Sequence, residues 1–237
     1  MATAYDYIIV GGGSAGCVLA ARLSEDPAIT VALIEAGPVD KSVLIPCPGG
    51  LAVMASTGAP LWGFATVPQA GLNGRQGYVP RGKVMGGSSS INAMIYTRGH
   101  KADYDHWAAE GNPGWDFASV LPYFKKAEHN ERRFGADSAP LHGKDGPLNV
   151  MDLRSPNKFG PVFVKAAIEA GYIENTDFNG PEQEGVGMYQ VTHKNGERYS
   201  AAKAYVTPHL SRPNLTVITD AHTTRVLIEG KRAVGVE

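Results

Sequence analysis

The sequence has few cysteines and no long apolar run. Its 237 residues contain only Cys17 and Cys47, too few for a disulfide framework, so we expect two free thiols in a reducing compartment. No apolar run approaches the ~18–20 residues that a membrane-spanning helix needs. The N-terminus lacks the basic and long apolar segments of a signal peptide. These absences predict a cytoplasmic protein and leave a peripheral membrane contact open.

Strong charge and metal-ligand spacings are also missing. The formal net charge is -1, which argues against a nucleic-acid partner. The seven histidines show no HxxxH spacing and no pairing with cysteines, so we expect no metal site and place them in surface or loop positions. A content of 43% hydrophobic and 19% charged residues predicts a globular chain of one or two domains.

The first 37 residues have the pattern of a βαβ unit. Tyr7–Val10 is a short apolar run typical of a strand, and the small and apolar residues 15–23 suit a helix packed on a sheet. Residues 30–34 are β-branched and apolar, as expected of a strand that is covered on both faces. The sequence therefore predicts a parallel α/β arrangement at its start.

The rest of the chain shows weaker patterns. Prolines and glycines between residues 37 and 80 predict a long irregular excursion, either a lid or a surface loop. Trp62 and Phe64 lie in this stretch and are candidates for the lid, whereas Trp107 and Trp115 are expected in the core. Further elements are predicted as helices starting near 103 and covering 117–128 and 159–170, strands over 148–150, 186–193 and 215–219, and a hairpin of 224–229 with 233–236.

A dinucleotide fingerprint joins the first strand to the first helix. Gly11 allows a tight turn, Gly13 lets the backbone approach a pyrophosphate, and Gly16 lets the helix pack closely on the strand. The helix N-terminus offers N–H groups and a positive dipole end to phosphates. Glu35 follows the second strand, where an acid accepts hydrogen bonds from ribose hydroxyls. The carboxylate disfavours NADP, and both NAD and FAD remain compatible.

A second glycine-rich segment extends from Arg81 to Asn92. Its centre, Gly86-Gly87-Ser88-Ser89-Ser90, places small residues and hydroxyls at the start of a predicted helix. Two glycines allow a flat ligand or its phosphate to press against bare backbone. By composition alone, a simple helix N-cap explains the segment equally well.

The longer string from Pro80 to Tyr96 resembles the first signature of the glucose-methanol-choline family of FAD-dependent oxidoreductases. The similarity runs from Tyr7 to Glu237, and it is greatest to bacterial choline-dehydrogenase-like and alcohol-dehydrogenase-like members. Other matching strings are Trp62-Gly63-Phe64, Asp103 to Trp107, Gly111 to Trp115, Leu121 to Phe124, Gly196 to Ala202 and Arg212 to Val217.

The resemblance implies FAD as the cofactor and assigns its contacts. It puts the pyrophosphate at the first glycine segment, the adenosine ribose at Glu35, the adenine edge at the backbone of Thr223, and the flavin beside the second segment. Ile91 stands where some relatives tether FAD through a histidine, which implies non-covalent FAD. The implied cofactor-binding residues are Gly11, Gly12, Gly13, Ser14, Ala15, Gly16, Glu35, Ala36, Arg81, Val84, Gly86, Gly87, Ser88, Asn92, Ala93, Met94, Ile95 and Thr223.

The resemblance also implies an α/β fold. We expect a Rossmann-like FAD-binding domain with an inserted α+β substrate-binding portion, incomplete at the C-terminus. The predicted division is an FAD-binding domain over 1–150 with the excursion at about 38–80, the first part of a substrate-binding domain over 151–209, and a return to the FAD-binding domain over 210–237.

The implied reaction oxidises choline or another primary alcohol to the aldehyde, with hydride transfer to flavin N5. The family's catalytic histidine belongs to its C-terminal portion, so we expect no catalytic residue before Glu237 and interpret the chain as an N-terminal part. Oxygen, a quinone and another carrier all remain open as the electron acceptor. Alternatives are a flavin-dependent lyase of the same family and a nucleotide-binding module without chemistry. An NAD-dependent dehydrogenase leaves the second glycine segment unexplained.

Overall fold

The computed structural model describes residues 4–237 and divides them into two compact units. Unit 1 contains the described residues up to Ala93 together with Glu197–Glu237. Unit 2 is Met94–Gly196 and is inserted between the two parts of unit 1.

The described residues form five short α-helices and thirteen short strands. The helices are α1 (Ser14–Leu23), α2 (Gly50–Thr57), α3 (Lys101–Ala109), α4 (Phe117–Ala127) and α5 (Phe159–Glu169). The strands are β1 (Tyr7–Val10), β2 (Val31–Ile34), β3 (Leu61–Ala65), β4 (Tyr78–Gly82), β5 (Ile95–Tyr96), β6 (Glu128–Asn130), β7 (Leu148–Val150), β8 (Gln190–Val191), β9 (His193–Lys194), β10 (Glu197–Arg198), β11 (Leu215–Ile218), β12 (Val226–Glu229) and β13 (Arg232–Val236).

A parallel sheet of order β1-β2-β11 forms the centre of unit 1. Leu33 on the middle strand lies opposite Ile9 on one side and Val217 on the other. Three residues of β2 are fully buried, which explains its uninterrupted apolar sequence. Because all three strands run the same way, their carboxyl ends meet at one edge of the sheet. The predicted βαβ start and the strand at 215–219 are therefore confirmed.

The turn between β1 and α1 depends on a close approach of two glycines. A Cβ on Gly16 would lie 2.0 Å from the carbonyl oxygen of Gly11, so only glycine fits there. After the C-terminal end of α1, the Asn214 amide donates hydrogen bonds to the carbonyls of Ser24, Asp26 and Ile29. These contacts fix both ends of the helix relative to the sheet.

The predicted irregular excursion over 37–80 is wrong in part. This stretch contains α2 and an antiparallel ribbon of β3 with β4. Pro80 is tolerated in the ribbon because both of its strands are edges and a missing N–H need not break a ladder. Buried side chains of this stretch join a core cluster with the second glycine-rich segment, formed by Ile45, Met54, Val84 and Ile91.

Unit 2 contains α3, α4 and α5, which confirm the predicted helices. The strand predicted over 186–193 is wrong in extent, because β8 is only two residues long and pairs with β5. A Cβ on Gly187 would lie 1.8 Å from the carbonyl oxygen of Asn175, so a close backbone contact replaces the beginning of that strand. The hairpin of β12 with β13, in unit 1, is confirmed.

Two expectations about side-chain burial are also wrong. His193 is buried on strand β9, although the histidines were expected in surface or loop positions, and His142 lies in a loop but is buried. Trp107 and Trp115 are about half exposed instead of lying in the core, and they pack edge to face with ring centroids 5.9 Å apart. Each ring covers part of the apolar surface of the other ring, although neither lies in the core.

The observed units are divided at different places from the predicted domains. The predicted boundaries lie at 150 and 209, whereas the compact units meet at 93/94 and at 196/197. The difference arises because β5 pairs with β8 and β6 pairs with β7, which joins residues 95–130 to residues 148–191. The assignment of cofactor and substrate functions to these segments stays a prediction. Within residues 4–237, no helix has the length and apolar character needed to cross a membrane.

Candidate functional site

The two glycine-rich segments lie against each other in unit 1. The Gly86 N–H donates a hydrogen bond to the carbonyl oxygen of Gly12 at 2.7 Å. A Cβ on Gly87 would lie 2.7 Å from the Cα of Gly13. The segments therefore approach backbone to backbone, and a side chain at Gly87 would push them apart.

The first segment leaves open space at the start of α1. Gly11 has a φ of +94°, and its N–H donates to the carbonyl oxygen of Ile34 at 2.7 Å. Gly13 is the N-cap residue of α1, which begins at Ser14. No heavy atom would lie within 4 Å of a Cβ on either glycine. This open space at a helix N-terminus is suited to a phosphate, whose charge the helix dipole favours.

The second segment is a tight turn and not the start of a regular helix. Gly86 and Gly87 have φ values of +86° and +52°, and a 3₁₀ turn covers only Gly87–Ser90. The predicted helix is therefore wrong. The Ser88 hydroxyl accepts a hydrogen bond from the Gly82 N–H at 3.2 Å, and the Ser90 hydroxyl donates to the carbonyl oxygen of Met85 at 2.7 Å. At least two of the three hydroxyls stabilise the turn itself.

Glu35 is buried and connects two loops. Its Oε2 accepts a hydrogen bond from the Gly12 N–H at 2.7 Å, and its Oε1 accepts one from the Gly37 N–H at 2.8 Å. The side chain is buried at the carboxyl end of β2, with the residue 5% exposed. The sequence predicted a ribose contact for this carboxylate, but its two backbone contacts were not foreseen.

A cavity of about 310 Å³ opens at this edge of the sheet. Six predicted cofactor-binding residues lie on its wall, together with two aromatic residues that were not assigned to the cofactor, Trp62 and His222. The cavity is lined by Val10, Gly11, Gly13, Ile34, Glu35, Ala36, Trp62, Gly82, Gly87, Ala221, His222 and Thr223.

Trp62 brings an aromatic surface to the wall of this cavity. It lies on β3 and meets the His222 ring edge to face, with centroids 5.3 Å apart. The Lys83 ammonium lies over the indole at 4.6 Å from the centroid. Trp62 therefore belongs to a strand at the cavity, whereas the sequence placed it in an irregular lid. The only signal for this role was the Trp62-Gly63-Phe64 string.

The remaining residues predicted to bind the cofactor do not line this cavity. Arg81 is exposed on β4, and Val84 is buried in the core cluster. Asn92 and Ala93 are exposed directly after the second segment. Ser14 and Ala15 are exposed at the start of α1. Met94 and Ile95 belong to unit 2, where Met94 Sδ lies 3.0 Å from His193 Nε2 and Ile95 is half exposed.

Comparisons with known proteins find relatives over nearly the whole chain. The family model described as GMC oxidoreductase matches residues 5–237. Alcohol dehydrogenase [acceptor] of Pseudomonas putida is 52% identical over 98% of this chain and 42% of its own length. Mitochondrial choline dehydrogenase of Homo sapiens is 47% identical over 98% of this chain and 40% of its own length. The chain therefore spans about two fifths of the length of these curated relatives.

Solved structures of the same kind have the same fold. Pyridoxine 4-oxidase from Mesorbium loti superposes with a TM-score of 0.91 at 35% identity, covering 98% of this chain and 45% of that protein. An FAD-dependent oxidoreductase from Chaetomium thermophilum superposes with a TM-score of 0.89 at 36% identity, covering 98% and 41%. The predicted fold class and the family resemblance are confirmed, and the chain belongs to the GMC oxidoreductase family.

Proposed function

We propose that the chain forms the FAD-binding part of an oxidoreductase that converts a primary alcohol to an aldehyde. The observation that carries the proposal is the cavity where two glycine-rich segments, Glu35 and the 221–223 backbone meet. A simple N-cap would not require the second glycine segment to contact the first. Two touching glycine-rich loops instead make a wall of bare backbone, which suits a long, phosphate-bearing ligand.

The phosphate end of the ligand is assigned to Gly11–Gly16. The open space beside Gly11 and Gly13 fits a pyrophosphate, because no protein atom occupies the position where their side chains would lie. The first N–H groups of a helix have no partner within the helix and point toward its N-terminus. Those of Ser14, Ala15 and Gly16 therefore supply donors for the phosphate oxygens.

The nucleoside end is assigned to the other side of the cavity. Each carboxylate oxygen of Glu35 accepts one backbone hydrogen bond and retains capacity for a second, so ribose hydroxyls can donate to it. The base then lies near Trp62, His222 and the backbone at Thr223. This order of phosphate, ribose and base is the order of groups in the adenosine half of FAD.

Bound FAD would supply the acceptor for the carbinol hydride. We propose that the flavin side of the site in unit 1 is formed by Arg81, Val84, Gly86, Gly87, Ser88, Asn92 and Ala93. The cofactor contacts of Met94 and Ile95 stay a prediction. We assign no proton acceptor to residues 1–237. The names of the relatives favour an alcohol such as choline as the substrate. Activity assays with oxygen and with a redox dye separate the possible electron acceptors. A cytoplasmic location stays a prediction.

The cofactor assignment is tested by the spectrum of the released ligand. The purified protein is denatured and centrifuged, and the absorbance of the supernatant is recorded. We expect a flavin spectrum in the supernatant, because Ile91 provides no atom for a covalent tether. Flavin that remains in the precipitate contradicts non-covalent binding. Absence of flavin together with tight NAD binding by calorimetry contradicts the FAD assignment.

The position of the ligand is tested by tryptophan fluorescence. FAD added to apoprotein should quench Trp62, and ADP should compete for the same site because it carries the adenosine and the phosphates. The Trp62→Phe variant should lose most of the ADP-sensitive signal. Trp107→Phe is the matched control, since Trp107 lies in unit 2 and should leave that signal unchanged. An ADP-sensitive signal that persists in Trp62→Phe places the nucleotide elsewhere.

A further inference from the structure

Arg198 is a fully buried cation whose hydrogen bonds go to neutral groups. The residue is 1% exposed. Its Nε donates to the carbonyl oxygen of Ile45 at 2.9 Å, and its Nη1 donates to the Ser89 carbonyl at 3.2 Å and to Asn92 Oδ1 at 2.8 Å. None of the salt bridges found within residues 4–237 includes it. Its Nη2 is buried without a hydrogen-bond partner.

Such an arrangement is costly and calls for an explanation. Burial lowers the pKa of Arg198 to about 10, so the side chain still carries its charge at neutral pH. Burying a charge without a counter-charge is unfavourable, and an apolar side chain of similar size would fill the same volume without this penalty. We therefore explain the guanidinium by the groups that its rigid set of donors holds in place.

The groups held by Arg198 belong to the second glycine-rich segment. Ser89 is fixed on several sides, because its carbonyl accepts from Arg198, its hydroxyl accepts from the Ala201 N–H at 2.9 Å, and the same hydroxyl donates to the Gly86 carbonyl at 2.5 Å. Gly86 in turn donates its N–H to Gly12 in the first glycine segment. A continuous path of contacts thus leads from Arg198 to the wall of the cavity.

Hydrogen bonds of Ser88 and Ser90 hold the local shape of the second segment but do not reach the first segment. After β4 its regular structure is a single 3₁₀ turn of four residues, and Gly86 before the turn and Gly87 at its start both have positive φ. Short 3₁₀ turns are weak, and glycine has the largest backbone freedom of any residue. Contacts from outside the segment therefore help to keep Gly87 against Gly13. Arg198 and its neighbour Ala201 supply such contacts from the returning part of unit 1.

Arg198 also determines how Asn92 presents its amide. An arginine has only donors, so the atom of Asn92 that faces it must be the carbonyl oxygen. The amide nitrogen of Asn92 is then directed away from Arg198. Arg198 therefore fixes the orientation of the exposed Asn92 side chain at the end of the second segment.

We propose that Arg198 is a positioning residue of the dinucleotide site, which holds the second glycine-rich segment against the first from behind the cavity. This inference rests on the proposed FAD-binding function. Arg198 lies outside the cavity wall and keeps that wall in the shape that the cofactor needs.

The test compares FAD binding to apoprotein by calorimetry in wild type, Arg198→Lys and Arg198→Met. We expect both variants to weaken FAD binding by about tenfold or more, the equivalent of roughly one to two hydrogen bonds. Lysine should not rescue binding, because a single ammonium cannot span the carbonyls of Ile45 and Ser89 and the Asn92 side chain. Arg132→Met is the matched control, since Arg132 lies in unit 2 and pairs with Asp152.

Hydrogen exchange separates positioning from general stability. In the Arg198 variants, the amides of residues 86–92 should exchange faster, while those of β1, β2 and β11 should be unchanged. If the Arg198 variants do not fold, hydrogen exchange of Asn92→Ala apoprotein decides, because this exposed position removes one acceptor of Arg198 and the readout does not depend on a direct contact between Asn92 and FAD. We expect the amides of residues 86–91 to exchange faster than in wild-type apoprotein.

The outcomes distinguish the two proposals. Wild-type protein that binds no FAD overturns the proposed function itself. Wild-type protein that binds FAD overturns the positioning role alone if Arg198→Met binds it equally tightly, or if the 86–91 amides of Asn92→Ala apoprotein exchange as in wild type. Full rescue by Arg198→Lys also overturns it, since the effect would then depend on charge and not on the set of donors.

Discussion

At the scale of single residues, Glu35 combines a structural role with a position on the wall of the cavity. The sequence predicts its ribose contact from its place after the second strand. The structure adds that the same carboxylate accepts hydrogen bonds from the N–H groups of Gly12 and Gly37. Hydrogen bonds to a charged acceptor are stronger than neutral ones. Glu35 therefore shapes the glycine loop whether or not a ligand is bound.

We expect Glu35→Ala to destabilise the apoprotein and to weaken FAD binding. Two buried N–H groups lose their acceptor, which should lower the free energy of unfolding by about 2–4 kcal/mol. FAD affinity, measured below the unfolding midpoint, should fall by roughly tenfold or more. Urea unfolding and calorimetry measure the two effects. Glu169→Ala is the control, because its exposed pair with Lys165 should contribute little. Unchanged unfolding and affinity would show that another acid has this role.

The residues of the first glycine segment could be predicted because each has a distinct local cause. The turn at Gly11 and the close packing at Gly16 follow from spacing within one βαβ unit. Trp62 and Arg198 could not be assigned in this way, since their contacts join residues far apart in sequence. Trp62 meets His222, and Arg198 meets Ile45 and Ser89. No periodicity in a single sequence encodes such contacts.

At the scale of elements, a buried ionic network joins four segments of unit 2. Glu128, at the start of β6, contacts Arg98 Nη2 at 2.5 Å and His142 Nδ1 at 2.9 Å. His142 Nε2 lies 3.1 Å from Asp177 Oδ2, and the Phe134 ring stacks on the imidazole. The imidazole thus lies between two carboxylates, which makes its protonated form the favoured one.

The network has a defined dependence on pH. Burial alone would lower the pKa of His142, but the hydrogen bonds that its ring donates to Asp177 and Glu128 and the charges of both carboxylates outweigh burial and raise it. Burial alone would raise the pKa of Glu128 and of Asp177, but the His142 contact and further hydrogen bonds and charges hold both below their ordinary values. The histidine contribution is complete below its ordinary value of 6.5 and is lost as pH rises through the raised pKa. The carboxylate contributions are complete above 4.5 and are lost as pH falls through the lowered pKa values.

We expect His142→Gln to destabilise the protein most at mildly acidic pH. The free energy of unfolding should fall by about 2 kcal/mol near pH 5.5 and by less near pH 9, because wild type loses the charged pair as pH rises through the raised pKa of His142. Urea unfolding at both pH values measures this difference. His129→Gln is the control, because His129 is exposed on the same strand. An equal loss for His142→Gln at both pH values would contradict a charged imidazole in the network.

At the scale of the whole molecule, we expect residues 1–237 alone to show no alcohol oxidation. The assigned residues are proposed to bind the cofactor, and none of them is proposed to accept the substrate proton, a step typically worth ~10²–10⁴-fold in rate. Dye reduction is followed with choline and with a series of primary alcohols in the presence of excess FAD. A full-length relative provides the positive control. Comparable turnover by residues 1–237 would require a base among the seven histidines.

Exposed apolar side chains on unit 2 affect how the same experiment is carried out. Phe159, Phe163 and Ile173 are each about two-thirds or more exposed on and after α5. Exposed apolar groups at this density mark either an interaction surface or a liability for association. We therefore expect this chain to aggregate readily in isolation, and light scattering during the FAD titration is a necessary companion measurement.

The insertion of unit 2 into unit 1 has a consequence for protein synthesis. Unit 2 is one continuous stretch, so it can fold as soon as it leaves the ribosome. Unit 1 cannot be completed at that time, because Leu33 needs Val217, which is translated only after the whole of unit 2. Until then one edge of β2 has no partner strand, and unpaired strand edges promote association with other chains. We expect the nascent protein to depend on chaperones during this interval and to complete the cavity proposed for the nucleotide late, when the segment containing Thr223 arrives.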